Sequence, residues 1–265
     1  MISCISLGSV GLVVGFLVGL SGMGGGVLMT PALIFLGFAP IQAVGLDLAY
    51  MSITKAFGSF LHYRRRHVDF RSIKFLLPGS LVTSLAGFFL LRYLLEIYNY
   101  DFINNIIGVA LAAVVLSVAI ASLAQLIFSK QLLPDEDAVF TVGRKIFLVL
   151  IGGLVGFIIQ FTSVGSGVII TAALMAFLSS HRVVGTNIFY GFVVTTFCAI
   201  LHWNLGNLDF SLLLPLVVGS LPGMYLGVLT CHRVPARPLR GVLILVLIIA
   251  GAILLQQRIG SLLTG

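Results

Sequence analysis

The chain has 265 residues, of which 59% are hydrophobic and 9% are charged, and its formal net charge is +7. A soluble domain carries about 25% charged residues, so this composition excludes one and indicates an integral membrane protein. Apart from Lys55, the basic residues lie in or beside short loops, which favours a lipid bilayer with an anionic surface as the partner and argues against nucleic acid.

Apolar runs predict ten helical segments, because about 20 apolar residues cross a bilayer as a helix. The alternating pattern of a membrane β-barrel is absent. In chain order the segments lie at about 5–20, 24–38, 44–62, 73–92 and 102–128, and then at about 146–161, 166–179, 183–203, 211–229 and 241–256.

A polar stretch containing Pro134 separates the two sets of segments. We therefore predict an all-α polytopic membrane protein with three parts. These are a first transmembrane repeat at 1–128, a cytoplasmic linker at 129–145 and a second transmembrane repeat at 146–265.

The second half of the chain repeats the first. An offset of 141 aligns residues 11–33 with 152–174, with identities at Gly11, Val14, Gly15, Phe16, Gly24, Gly26, Val27, Thr30, Ala32 and Leu33. An offset of 140 then aligns 44–81 with 184–221, with identities at Val44, Gly45, Tyr50, Phe57, Leu61, His62, Asp69, Phe70, Leu76, Gly79, Ser80 and Leu81. Identical His and Tyr residues in register indicate a duplication rather than shared apolar composition.

The basic residues predict how the segments cross the membrane. The loop at 64–74 holds five of them and is expected to be cytoplasmic by the positive-inside rule. Threading outward from it places these residues inside: Arg64, Arg65, Arg66, Arg71, Lys74, Lys130, Arg144, Lys145, Arg182, Arg233, Arg237 and Arg240. Only Arg92 and Arg258 fall outside. Because each half has an odd number of segments, we predict inverted-topology repeats.

Each half contains a glycine-rich break between its first two segments. These segments are short, about 21–24 Å as helices against about 30 Å of hydrocarbon, so each pair is predicted to be a hairpin that either spans or re-enters. Short, interrupted segments at matching positions of inverted halves indicate a transporter's binding site, and free backbone N–H groups there suit an anion. The candidate substrate-binding residues in the two breaks are Met23, Gly24, Gly25, Gly26, Ser163, Gly165, Ser166 and Gly167. The alternative is that the glycines only permit close helix packing.

Polar residues inside the segments extend the candidate site. Lys55 lies deep in the third segment, where a charge normally faces protein or water, so it is either a cation on the substrate path or a structural or snorkelling lysine. Asp47 and Asn187 hold matching positions near the starts of their segments, either as helix caps or as lining of the site. Asp47 and Lys55 are about 12 Å apart along the helix axis, which argues against a direct ion pair. Tyr50 and Tyr190 complete the candidate set.

Four further residues are assigned structural roles. His62 and His202 lie at segment ends, where packing or hydrogen bonding is favoured over a proton relay. Asp69 and Asp209 each precede a Phe and are predicted to be loop or capping residues.

The glycine tract GLSGMGGGVLMTPAL, its weaker partner SVGSGVIITAAL, and the Val-Gly start and Leu-His end of the third segment resemble the sulfite exporter TauE/SafE family, also called the 4-toluene sulfonate uptake permease family. The resemblance covers about residues 8–255. It implies secondary transport of small sulfur-containing anions, such as sulfite, sulfonates or sulfoacetate, across the cell inner membrane by alternating access. Export is the expected direction.

Three alternatives stay open at this point. They are an anion channel of the same architecture, a non-transporting membrane subunit, and an intramembrane enzyme, which lacks any recognisable catalytic constellation. No phosphate-binding loop is present, which argues against ATP-driven transport. We expect a small anionic substrate, no catalytic residue, no metal and no cofactor, and a homodimer remains open.

Overall fold

Ten α-helices make up the regular structure of residues 4–21, 26–128, 141–175, 178–230 and 236–264, which are the residues that the computed structural model describes. They are α1 Cys4–Ser21, α2 Gly26–Phe35, α3 Pro40–Arg64, α4 Phe70–Ile97, α5 Tyr100–Phe128, α6 Val142–Thr162, α7 Ser166–Met175, α8 Ser180–Asn204, α9 Phe210–Thr230 and α10 Ala236–Thr264. Each predicted segment overlaps one helix, so the all-α fold class is confirmed.

Short polar loops fix where several helices begin. The Asp69 carboxylate accepts a hydrogen bond from the Ser72 backbone N–H at 3.0 Å, at the start of α4. The Asp209 carboxylate accepts one from the Ser211 N–H at 2.8 Å, at the start of α9. Each satisfies an N–H that the first helical turn leaves without a partner, so the predicted capping roles of both residues are confirmed.

The helix boundaries differ from the predicted segments at several places, among them in α2, α3 and α6. The third helix begins at Pro40 rather than near residue 44, because proline is well suited to the first turn. The second ends at Phe35, since Gly37 takes φ 95° and its N–H bonds the Ile34 carbonyl. Helix α6 has 21 residues and is not short; its first turn includes Lys145, which lies 5.7 Å from the Phe75 ring centre.

The outer surface is apolar, as a bilayer requires. Six helices of the described part are long and apolar enough to cross a membrane, namely α4, α5, α6, α8, α9 and α10. On α9, one stripe points outward, with Leu214 66%, Val218 59%, Leu221 53% and Tyr225 65% exposed. Side chains at this helical spacing share one face, and a lipid environment accounts for its exposure.

Helices α1 and α9 pack at backbone contact and run parallel. The contacts advance in the same direction along both helices, and small residues allow this approach between membrane helices. A Cβ added to any of three glycines of α1 would overlap a carbonyl oxygen of α9: at Gly11 that of Leu216, at Gly15 that of Ser220 and at Gly19 that of Met224.

Helices α4 and α6 form a similar parallel pair. A Cβ at Gly152 would overlap the Leu76 carbonyl oxygen, and one at Gly156 would overlap that of Ser80. Serine hydroxyls reinforce this contact, since the Ser80 and Ser84 hydroxyls donate to the carbonyls of Gly152 and Gly156, each at 2.9 Å. Hydroxyls bonded across helices satisfy themselves where water is absent.

The other two long helix pairs run antiparallel. Along α3 and α8, Ser52 meets Thr196 at 2.7 Å between the hydroxyl oxygens, whereas Gly58, further along α3, meets Ile188, earlier on α8. Helices α5 and α10 also run antiparallel, since Gly108 lies against Arg258 and Gly251 lies against Leu116.

Candidate functional site

Asp47 is the centre of a buried polar cluster that joins three elements. Its side chain is 0% exposed. Carboxylate Oδ2 accepts hydrogen bonds from the Thr30 hydroxyl of α2 at 2.5 Å and from the Ser163 hydroxyl at 2.9 Å. The capping interpretation of Asp47 is wrong, because α3 already begins at Pro40 with Ala39 at the cap position. The carboxylate instead holds the two halves of the chain together.

The break between α6 and α7 is a tight, buried turn. Ser163 ends α6 in the left-handed conformation with φ 59°, and its N–H bonds the Ile159 carbonyl at 2.8 Å. Gly165 takes φ 118°, a conformation that residues with a Cβ rarely adopt. Helix α7 then starts at Ser166. The predicted break is therefore confirmed, and its geometry aims the Ser163 hydroxyl at Asp47.

Asn187 makes the matching contacts in the second half. Its amide nitrogen donates to the Thr171 hydroxyl at 3.0 Å and to the Gly167 carbonyl at 3.3 Å, both on α7. Thr30 and Thr171 correspond in the repeat alignment, as do Asp47 and Asn187. Capping is wrong for Asn187 as well, because α8 begins at Ser180. The corresponding contact between two helices thus uses a carboxylate in the first half, Asp47 with Thr30, and an amide in the second half, Asn187 with Thr171.

Tyr50 and Tyr190 are both 0% exposed and face neighbouring helices. The Tyr190 hydroxyl lies 2.6 Å from the Ser80 hydroxyl of α4. Tyr50 faces Ser220 of α9, which is the repeat counterpart of Ser80. Tyr190 thus bonds α8 to α4, whereas the Tyr50 hydroxyl is buried without a hydrogen-bond partner among the described residues.

Lys55 lies on α3 with its ammonium against the middle of α8. A Cβ added at Gly191 would fall 2.6 Å from the Lys55 Nζ. One turn away, the hydroxyls of Ser52 and Thr196 meet at 2.7 Å. A snorkelling lysine would carry its charge to the end of the helix, whereas this one faces the neighbouring helix at mid-length. Ser52 and Lys55 therefore both lie at the contact between α3 and α8.

The predicted hydrogen-bonding role of His202 is confirmed. Its Nε2 lies 2.9 Å from the Gln160 carbonyl oxygen, and the side chain is 1% exposed. A Cβ at Gly45 would come 3.4 Å from the other ring nitrogen. His202 therefore joins α8 to α6 close to the start of α3.

Three of the candidate residues, Met23, Gly24 and Gly25, lie outside the described residues. Gly26 is the first residue of α2, and the side chain of Ser166 also lies outside the described part. The structure brings Asp47 together with Ser163, and Asn187 together with Gly167.

Two partners of these residues were not predicted, Thr30 and Thr171. Their signal was present in the sequence, since Thr30 is one of the identities of the repeat alignment. Apolar composition does not explain a polar residue that is identical in two apolar repeats, so such a residue indicates a specific contact. The same holds for Ser80, which bonds Tyr190.

Long apolar helices around buried, hydrogen-bonded polar residues and a broken helix define a polytopic helical membrane protein of the kind that transports solutes. The profile of the sulfite exporter TauE/SafE family matches residues 7–254, and the chain belongs to this family of membrane transporters.

Similar proteins come from Bacillus subtilis (strain 168). The "probable membrane transporter protein YjnA" is 35% identical over 250 residues, which cover 93% of this chain and 98% of the relative. The "probable membrane transporter protein YunE" is 24% identical over 95% of this chain and 97% of its own length. The "probable membrane transporter protein YdhB" is 25% identical over 91% and 96%. No solved structure matches the chain.

Proposed function

We propose that the protein is a secondary transporter that exports small sulfur-containing anions, such as sulfite, sulfonates or sulfoacetate-like compounds, across the inner membrane. The family description names sulfite export, and the relatives are named as probable membrane transporters. The observation that carries the proposal is the contact of Asp47 in the first half with the broken helix at Ser163 of the second. Solute sites of transporters with inverted repeats lie where broken helices meet the other half.

The halves are inverted-topology repeats in this proposal, and the packing directions support it. Helices α3 and α8 correspond in the repeat and run antiparallel, as do α5 and α10. Repeats with the same orientation would need these pairs to run parallel. Helix α1 corresponds to α6 in the repeat, and α4 corresponds to α9. Exchanging the two halves therefore turns the parallel pair α1 with α9 into the parallel pair α6 with α4.

The loop at 64–74, the linker and the start of α10 are cytoplasmic in this proposal. The Arg182 guanidinium lies 3.9 Å from the Asp69 carboxylate, so the starts of α8 and α4 are on one side. Helix α6 runs parallel to α4, which brings Arg144 to that same side. This grouping is the one that the distribution of Lys and Arg residues predicts.

The anion is bound between the two breaks. Backbone N–H groups at the starts of α2 and α7, at Gly26 and Gly167, present donors with the positive end of a helix dipole. Lys55 supplies the positive charge, and the Asn187 amide and the two buried tyrosines shape the site. An ionised Asp47 would repel the anion, because like charges in a buried site disfavour each other.

A thermal-shift screen tests the substrate class. Purified protein is heated with 4-toluenesulfonate, sulfoacetate, sulfite, acetate and phosphate in parallel, because a ligand of the native state raises its stability by about 2.7 kcal/mol at 100 times its dissociation constant. We expect the sulfur anions to raise the melting temperature and acetate and phosphate to leave it unchanged. A screen in which phosphate alone stabilises the protein would reject the proposed substrate class.

Flux measurements separate a carrier from the alternatives. In liposomes that hold only this protein, a carrier shows saturable uptake of labelled sulfonate that is accelerated by unlabelled sulfonate inside. Uptake that never saturates and shows no such acceleration indicates a channel. Absence of any flux indicates a subunit that does not transport alone.

A further inference from the structure

The two oxygens of the Asp47 carboxylate are not equivalent. Oδ2 accepts hydrogen bonds from Thr30 and Ser163, whereas Oδ1 is buried without a hydrogen-bond partner among the described residues. A buried polar atom without a partner is destabilising, and more so when it carries charge. Oδ1 is therefore positioned to take up a proton, which needs only one oxygen.

The surroundings of Asp47 contain few charges. On its own helix it faces Tyr50 and, about 12 Å further along the axis, Lys55, which acts on it through space. From α8, His202 comes close to the start of α3 at Gly45. From α2 and from the turn after α6, the neighbours are the hydroxyls of Thr30 and Ser163.

The matching position of the second half cannot exchange a proton. Asn187 holds the equivalent place, and both of its hydrogen bonds to described residues use the amide nitrogen as the donor. The duplicated contact therefore has an ionisable side chain, Asp47, in the first half and a neutral one, Asn187, in the second. Among the described residues, the contact of Asp47 bridges the two halves, since Ser163 belongs to the second repeat and Thr30 to the first.

We propose that Asp47 couples anion transport to protons by taking up one proton at Oδ1 with each anion. This rests on the proposed function and names its coupling ion. An O–H bond forms at Oδ1 with a proton from water on the loading side, and it breaks when the proton leaves with the anion on the other side. Neutralising Asp47 removes its repulsion of the anion, so the two ligands bind together.

Coupling of this kind makes transport of a monovalent anion electroneutral. The membrane potential then exerts no net force on the loaded carrier, and the gradients of anion and proton set the direction. An anion that accumulates in the cell leaves with a proton.

A proton count tests the coupling. Liposomes containing the purified wild-type protein and an internal pH dye are given labelled 4-toluenesulfonate, which stays ionised at all working pH values, so any proton that moves is carried by the protein. We expect one proton per sulfonate, and about tenfold accumulation for one pH unit, acid outside. A sodium gradient at equal pH should drive no accumulation.

Variants locate the proton. Asp47→Asn should lose accumulation driven by pH, and its exchange of labelled for unlabelled sulfonate should no longer depend on pH. Asp101→Asn, the same change at an exposed carboxylate, is the matched control and should keep both activities.

The failures are distinguishable. Sulfonate flux without protons, flux driven by sodium, or pH-driven accumulation by Asp47→Asn would overturn the coupling and leave the transporter standing. Wild-type protein that neither binds nor moves sulfonate would overturn the proposed function and the coupling with it. The proton count uses the wild type, so sulfonate flux without protons overturns the coupling even when Asp47→Asn does not fold.

Discussion

At the scale of single residues, the two halves of this duplicated chain differ in charge at corresponding positions. Asp47 corresponds to Asn187, and Lys55 corresponds to Thr195, whose hydroxyl donates to the Gly191 carbonyl at 2.7 Å. One acid and one base thus distinguish the first half from a second half that is neutral at the same places. In the proposed transporter, the charges that act on the anion therefore come from α3.

Lys55 provides the first prediction. A charge pair 4 Å apart is worth about 1 kcal/mol in water and about 4 kcal/mol at an effective dielectric of 20, and a partly hydrated site lies between these values. Lys55→Ala should therefore weaken sulfonate binding by about ten-fold to several hundred-fold. Lys55→Arg should retain more affinity, because the charge survives while the geometry changes. Titration calorimetry on purified protein measures the affinities.

Two variants control for a structural lysine. Lys55→Met keeps the length of the side chain without its charge, and unchanged affinity in this variant would remove Lys55 from the site. Gly191→Ala keeps the charge and displaces it, because the new Cβ would meet the Lys55 Nζ. This second variant should also lower affinity.

Ser163 provides the second prediction, on stability. Both Ser163→Ala and Ser163→Gly remove the hydroxyl that bonds Asp47, a hydrogen bond to a charged group that is worth about 1.5–3 kcal/mol. The alanine must still adopt φ 59°, which costs about 1–2 kcal/mol that glycine does not incur. We expect the order wild type, glycine, alanine in unfolding free energy, measured by denaturant titration in detergent. Equal stability of all three would show that this turn contributes nothing.

At the scale of helices, the sequence was sufficient to predict where elements lie and insufficient to predict what they touch. Hydrophobic runs and the internal repeat predicted ten helices, because burial in lipid depends on local composition. The capping carboxylates Asp69 and Asp209 could also be predicted, because a cap bonds N–H groups within one turn of its own position. Contacts of Asp47 with Thr30 and Ser163 join residues that are far apart in the chain, and only packing brings them together.

The glycines of α1 show the same limit. Sequence reasoning concentrated on the glycine-rich breaks, whereas Gly11, Gly15 and Gly19 recur at every fourth position and lie against the α9 backbone. Their spacing is a signal for close packing that could have been used. It could not have named α9 as the partner.

The α1–α9 contact provides the third prediction. Gly15→Ala adds a Cβ that overlaps the Ser220 carbonyl, and overpacking of this kind costs about 1–3 kcal/mol or more, because backbone on both helices must move. Gly241→Ala is the matched control, since a Cβ there meets nothing within 4 Å and alanine gains about 1 kcal/mol of helix propensity. The melting temperature in detergent should fall for the first variant and rise for the second. A fall of equal size in both would mean that the helix contact is not responsible.

At the scale of the whole molecule, the packing directions of the helices and the placement of basic residues lead independently to the same arrangement. Antiparallel α3 and α8 put the loop after α3 and the loop after α8 at opposite ends of the molecule. The first of these loops is the basic one, with Arg64, Arg65 and Arg66 in succession. Helix contacts do not depend on the positive-inside rule, so the packing directions and the basic residues support the proposed arrangement independently of each other.

Labelling from the two sides of the membrane provides the last prediction. Cys4, Cys198 and Cys231 are first replaced by serine, because Cys4 is exposed and would react. Single cysteines are then placed at four exposed or terminal positions, Arg66, Val142, Asn99 and Asn204. With an impermeant thiol reagent added to intact cells, Asn99→Cys and Asn204→Cys should react, whereas Arg66→Cys and Val142→Cys should react only after permeabilisation. Helix α4, with 28 residues, separates Arg66 from Asn99 by about 42 Å, so the two classes cannot exchange without refolding. Reaction of Arg66→Cys and Asn204→Cys from the same side would reject the inverted repeats, and with them the site between the two breaks.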